Sequence, residues 1–288
     1  MRAIKSLAVL ICVSVSLATA EDKSEISFQL FRDYVIVVKG GVDGQSNLHF
    51  IVDTGAVPSV LDKRLMKNVK AVRTEKVSVF SKNMDLTLAE TTNLSVGPWQ
   101  QASLSVLISD LSFASEALGV HIDGMLGLDF FGTSFSIDYN NKKLRKLADA
   151  YEPAEEDLII YHAPEALFAT VQMNFDGRTL KLLADSGTSD LVFFKPRVQH
   201  CLGKMKTVGK ATWSNIAGEL SMQRVRLERA SIAGQAWPDR EALIMNASKG
   251  PQGLDGMLGL SSLNARRVVF IPPNLTPKVP VSQAASRP

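Results

Sequence analysis

The chain is patterned as short apolar runs separated by small and polar turn residues. Phe28 to Val38 alternates loosely, is rich in β-branched and aromatic residues, and predicts a strand. Gly40-Gly41 and Asp43-Gly44 tolerate positive φ and predict a hairpin turn. Leu48 to Val52 is the predicted return strand and ends at Asp53. The plan then recurs: a strand over Leu167 to Phe175, a turn at Asp176-Gly177, and a return over Leu180 to Ala184 that ends at Asp185. Lys76 to Ser81 approaches a polar tip at Lys82-Asn83, as Lys210 to Ser214 approaches Asn215 and Gly218; Phe80 and Trp213 lie 133 residues apart in these runs. Each half next places a glycine close to a tryptophan, in Gly97-Pro98-Trp99 and Gly234-Gln235-Ala236-Trp237. Many short strands with Gly, Asn and Asp turns predict an all-β fold of barrel-like lobes.

The repetition is closest at the ends of the return strands. Phe50-Ile51-Val52-Asp53-Thr54-Gly55-Ala56 has its copy in Leu182-Leu183-Ala184-Asp185-Ser186-Gly187-Thr188. Each copy has a companion, Asp123-Gly124-Met125-Leu126-Gly127-Leu128 and Asp255-Gly256-Met257-Leu258-Gly259-Leu260. Asp53 and Asp123 are 70 residues apart, as are Asp185 and Asp255. A duplicated lobe with one carboxylate in each follows. Ala148 to Glu156 is acidic, contains Pro153 and is the expected linker, giving lobes over 21–150 and 151–275 and a disordered tail over 276–288.

Composition adds where the protein is expected to work. Arg2 and Lys5, the apolar Leu7 to Leu17 and Ala18-Thr19-Ala20 have the form of a signal peptide over 1–20, so an exported, periplasmic or secreted protein is expected. That apolar run is short of the ~20 residues a bilayer needs, and no stable membrane insertion is expected. Without the leader, 30 basic side chains meet 29 acidic ones. Nothing in that balance neutralises phosphates, so nucleic acid is not an expected partner. Cys201 is the one cysteine beyond the leader, and a protein with one thiol is held by its core rather than by an internal disulfide. His49, His121, His162 and His200 show no metal-binding spacing, no G-x-S-x-G or phosphate loop is present, and neither metal nor cofactor is expected.

A carboxylate at a strand end, followed by a hydroxyl and a glycine, sits in a tight turn. Glycine brings backbone N–H groups to the carboxylate, and the hydroxyl pins the turn. Two such turns related by a pseudo-two-fold would bring Asp53 and Asp185 together. Like charges at ~3 Å cannot both ionise, so such a pair shares a proton. One carboxyl then takes a proton from water while the other donates to a carbonyl oxygen.

These paired motifs resemble the active-site turns of aspartic proteases of the pepsin/retropepsin superfamily, over roughly Phe28 to Ile271. Asp53-Thr54-Gly55-Ala56 is similar to the retropepsin turn, and Asp185-Ser186-Gly187-Thr188 to the second turn of pepsin-like enzymes. The resemblance implies a bilobal β fold with a cleft between lobes, catalytic Asp53 and Asp185, hydrogen bonds across the interface from Thr54 and Ser186, and support from Gly55, Gly187 and Thr188. It implies an endopeptidase acting on peptide or protein substrate as a monomer; the alternative is a peptide-binding protein on the same scaffold. Ala56 stands where pepsins carry serine, so one hydrogen bond to the dyad is missing and a less acidic optimum is expected. None of Tyr34, Tyr139, Tyr151 and Tyr161 matches the pepsin flap tyrosine; Phe80 and Trp213 are the candidates to cover the cleft. Asp123 and Asp255 are expected to satisfy backbone groups.

Overall fold

The apolar runs that end in the two carboxylates become the strands Gln45–Val52 and Arg178–Asp185. A computed structural model describes residues 23–79, 82–148, 151–162, 168–215, 218–232, 235–246 and 253–271. The expected leader and tail, and Phe80, lie outside the described residues.

Strands dominate, in two lobes built on one plan. In the first, Gln45–Val52 lies between Val35–Val42, antiparallel, and Gly124–Leu126, parallel in the register Phe50–Gly124 and Val52–Leu126. In the second, Arg178–Asp185 lies between Thr170–Phe175, antiparallel, and Gly256–Gly259, parallel, with Asp185 opposite Gly259. The central strands carry near-continuous apolar runs because both their faces are covered. Gly124 and Gly256 are obligatory, because a Cβ at either would collide with the neighbouring strand, at the Val60 and Val192 carbonyl oxygens.

Two hairpins of equal length rise from the lobes. Lys70–Val79 pairs with Lys82–Thr91, and Lys206–Asn215 with Gly218–Leu227. Each is bulged near its base, at Val72 and Val208, which increases local twist and leaves both valines exposed. Counted from the tip pairs Val79–Lys82 and Asn215–Gly218, the counterpart of Trp213 is Val77 and not Phe80. Val77 and Met84 pack on an apolar cluster of the first lobe, and Trp213 and Leu220 on the matching cluster of the second.

A five-stranded sheet joins the lobes, in the order Glu25–Ser27, Lys143–Lys146, Phe135–Asp138, Arg267–Ile271, Asp157–Tyr161. The last described strand thus pairs antiparallel with the first lobe, Phe135 opposite Phe270, and these rings stack at 4.7 Å. Phe131 stacks on Phe135 at 4.3 Å, and one buried cluster runs from Ile36 through these rings to Val268 and Leu260.

Two sequence expectations are corrected. Phe28 to Val38 is not one strand: it breaks at Arg32 and Asp33, at φ 49° and 63°, into Gln29–Phe31 and Val35–Val42, which pair with each other. The Arg32 guanidinium donates twice to the Ala117 carbonyl, at 2.9 and 2.6 Å, and holds this turn against the last turn of helix Ser112–Leu118. Gly40-Gly41 do not turn the chain either. They lie at a bulge inside Val35–Val42, where a Cβ on Gly40 would strike the Ser95 carbonyl, and the turn is made at Asp43-Gly44. No described helix is long and apolar enough to cross a membrane.

Candidate active site

Each carboxylate is delivered by a strand end and caught by the companion motif beneath it. The Asp53 N–H donates to the Leu126 carbonyl at 2.9 Å, which ties the turn to Gly124–Leu126. The chain then crosses under the turn. A Cβ at Gly127 would collide with the Ala56 carbonyl, and one at Gly259 with the Thr188 carbonyl, so both crossings require glycine. Asp123 and Asp255 act one step further out. Each bridges backbone of the return strand: His49 N–H donates to Asp123 Oδ2 and Lys181 N–H to Asp255 Oδ2, both at 2.9 Å.

The two turns interlock. Thr54 N–H donates to Ser186 Oγ and Ser186 N–H to Thr54 Oγ1, each at 3.0 Å. Thr54 Oγ1 donates to the Ala184 carbonyl and Ser186 Oγ to the Val52 carbonyl, each at 2.8 Å. Both hydroxyls are buried, and this symmetric set brings the adjoining aspartates face to face. A Cβ on Gly55 would lie 2.7 Å from the Asp185 carboxyl, and one on Gly187 2.7 Å from that of Asp53. Each lobe's glycine therefore leaves room for the other lobe's carboxylate.

Asp185 is buried, at 5% exposure, and Asp53 is half-buried. Gly55 N–H donates to Asp53 Oδ1 at 3.0 Å and Gly187 N–H to Asp185 Oδ1 at 2.6 Å. Burial, followed by the charge of Asp53, pushes the Asp185 carboxyl well above the usual carboxylate range. Burial raises Asp53 as well, opposed by hydrogen bonds from the Gly55 N–H, from Asp185 and from the Ala56 N–H. The pair therefore holds a proton at pH values where isolated carboxylates have lost theirs.

The sequence-predicted residues Asp53, Thr54, Gly55, Asp185, Ser186 and Gly187 all meet at this point. Thr188 lies beside them but turns its hydroxyl away, accepting from Asp190 N–H at 3.2 Å. Trp213 belongs to the second hairpin, half-buried against the apolar cluster that contains Leu183 and Met222. Sequence reasoning missed Tyr34. It follows the Arg32-Asp33 turn and reaches the cleft, where burial and then the charges of Asp190 and Asp185, from the other lobe, raise its pKa. A turn signal inside an apolar run is weak, and only the arginine's distant partner explains it. Sequence reasoning also passed over Ser59 and Asp129. Asp129 accepts from Ser59 N–H at 2.8 Å and from Ser59 Oγ at 2.7 Å, while Ser59 Oγ accepts from Gly127 N–H at 2.9 Å, bracing the first crossing.

A family model described as aspartyl protease matches the chain twice, over residues 38–130 and 171–262, together more than half of it. Each match contains one dyad aspartate and one companion motif. No curated protein matches the chain. Among solved structures, a retropepsin-like aspartic protease from Rickettsia conorii is similar, at 18% identity, over 33% of this chain and 69% of that one, with a TM-score of 0.26. On the strength of the two family matches, the chain belongs to the aspartyl protease family.

Proposed function

We propose that the protein is an endopeptidase in which Asp53 and Asp185 hold and activate the water that attacks a peptide bond. The observation that carries this reading is the interlocked pair of turns, with both carboxylates facing each other under raised pKa. The ionised carboxyl takes a proton from water as its oxygen attacks the carbonyl carbon. The protonated carboxyl donates to the carbonyl oxygen, and the tetrahedral intermediate then collapses with a proton passing to the leaving amine. Two hairpins with apolar inner residues, Val77 and Met84 on one and Trp213 and Leu220 on the other, supply cover for an extended peptide. Keeping two like charges together in a buried setting is costly, which favours catalysis over passive binding. The leader-like start supports action after export, which N-terminal sequencing of the mature protein tests.

The decisive experiment is cleavage of a peptide library between pH 3 and 8, with and without pepstatin, by the wild type, Asp53→Asn and Asp185→Asn. Pepstatin-sensitive cleavage lost in both variants is expected. Cleavage that persists in both rejects the dyad. Peptide binding without cleavage by the wild type favours the binding-protein reading.

A further inference from the structure

The two crossings under the dyad turns follow the same path but are held differently. Val60 pairs with Met125 as Val192 pairs with Met257, so Ser59 and Asp129 of the first lobe answer to Leu191 and Ser261 of the second. In the second lobe Gly259 N–H donates to a backbone carbonyl, that of Asp190, at 2.9 Å. In the first, Gly127 N–H donates to the Ser59 hydroxyl at 2.9 Å, and that hydroxyl donates onward to Asp129 Oδ1 at 2.7 Å. Asp129 Oδ2 accepts from Ser59 N–H at 2.8 Å, so serine and carboxylate are joined at both oxygens. Ser59 is fully buried and Asp129, in the first turn of Leu128–Phe131, is half-buried. Burial pushes the Asp129 carboxyl up, opposed by hydrogen bonds from the Ser59 N–H and hydroxyl, from its own N–H and from Phe130 N–H.

Gly127 N–H and the Leu126 carbonyl belong to one planar peptide unit. That carbonyl accepts from Asp53 N–H at 2.9 Å. The hydrogen bonds therefore run in one direction without a break: Asp53 N–H to Leu126, Gly127 N–H to Ser59, and the Ser59 hydroxyl to Asp129. Bonds aligned in this way polarise one another, and a charged acceptor at the end strengthens the last of them. We propose that Asp129 is a positioning residue for Asp53, acting through Ser59 and the Leu126–Gly127 peptide. The inference rests on the reading of Asp53 as a catalytic carboxyl. The relay holds the backbone from which the Asp53 side chain rises, and so fixes where its carboxyl meets water and substrate. Leu191 and Ser261 bring no charge to the matching places of the second lobe. The duplicated lobes thus present their carboxylates on unequal supports.

The test reads the resting protein and turnover separately. Protein labelled with nitrogen-15 at aspartate and glycine reports the Asp53 and Gly127 amides by NMR. Asp129→Asn removes the charge and keeps the size; it is expected to move both amide protons upfield, although neither amide touches Asp129. Ser59→Ala is expected to do the same. In peptide cleavage each variant is expected to lower kcat about tenfold, the equivalent of one hydrogen bond, with KM unchanged. The double variant is expected to fall no further than Ser59→Ala, since the carboxylate acts through the serine. Arg267→Met, which breaks the ion pair with Asp157 in the shared sheet, is the control that lowers stability and leaves kcat in place. Two relay variants are made so that one folded protein, checked by circular dichroism, suffices. A folded variant with the wild-type Asp53 amide overturns the relay. Shifted amides with wild-type kcat overturn the positioning role, as does an equal loss of kcat in Arg267→Met. Shifted amides in variants of a protein that cleaves no peptide reject the catalytic reading and leave the relay standing.

Discussion

Thr54 and Ser186, from opposite lobes, each accept the other's backbone N–H at 3.0 Å and each donate a hydroxyl to a carbonyl across the interface at 2.8 Å. Replacing Thr54 by valine keeps the shape and strands the Ser186 N–H and the Ala184 carbonyl at a fully buried position. The expected loss is about 2–4 kcal/mol in urea unfolding, for two buried groups left without partners. Thr54→Ser, which keeps the hydroxyl, is expected to lose much less. Equal stability of the valine and serine variants would rule out these bonds as the clamp between lobes.

The dyad should make the protein less stable as pH rises. Asp185 has its folded pKa raised above the unfolded value, so the native state holds more protons in the window above about pH 4, and stability falls as pH climbs through it. Asp185→Asn removes that dependence. Its Tm is expected to exceed that of the wild type at pH 7, with the gap closing toward pH 4. A gap that widens on acidification contradicts the shift.

Asp157 carries the opposite sign. Burial acts to raise its pKa, but the Arg267 fork at 2.6 and 2.9 Å, the Tyr151 hydroxyl and the Ala154 N–H outweigh it and hold the carboxyl below its ordinary range. The stability it contributes is present above its unfolded pKa and is lost as pH falls through the folded one. Arg267→Met is expected to cost about 1.5–3 kcal/mol at pH 7, the range for hydrogen bonds to a charged group, and less at pH 3. A cost independent of pH would assign the loss to packing.

Gly127 has no room for a methyl group under the Ala56 carbonyl. Gly127→Ala is expected to destabilise by roughly 1–3 kcal/mol as the turn is forced upward. Because that turn carries Asp53, kcat should fall in protein that remains folded. A folded alanine variant with unchanged kcat would show that the crossing does not position the carboxylate.

The Ala56 N–H donates to the Asp53 backbone carbonyl at 3.1 Å and helps to draw the Asp53 pKa down, but Ala56 has no hydroxyl to add. The pH profile of kcat/KM is expected to peak above pH 3, and Ala56→Ser should move its acidic limb down by roughly half a unit to one unit, the equivalent of one further hydrogen bond. A wild-type peak near pH 2 would contradict this account.

The meeting of the two aspartate turns was legible because its information is local: Asp53-Thr54-Gly55 and Asp185-Ser186-Gly187 are contiguous, and their companions keep the same spacing. What escaped depends on distant partners. The Arg32-Asp33 turn that presents Tyr34 is held by Ala117, 85 residues away. Counting from Asp53 and Asp185 sets Phe80 against Trp213, but the second lobe carries four more residues between its aspartate and the start of its hairpin at Lys206 than the first carries before Lys70. Only the register from the tips, Val79–Lys82 and Asn215–Gly218, makes Val77 the partner of Trp213. The shared sheet left no local trace, since an apolar run such as Arg267–Ile271 does not announce which edge it will join.

That sheet has a consequence for synthesis. The edge of Phe135–Asp138 is completed by Arg267–Ile271, a segment made only after both lobes. Until it arrives, the first lobe carries an open apolar strand edge, the kind of surface that pairs with the wrong neighbour. Contacts so distant in the chain also slow folding. The nascent protein therefore depends on its final described strand to bury Phe135 and lock the lobes, and a chain truncated before Arg267 should be aggregation-prone even though every dyad residue has already been made.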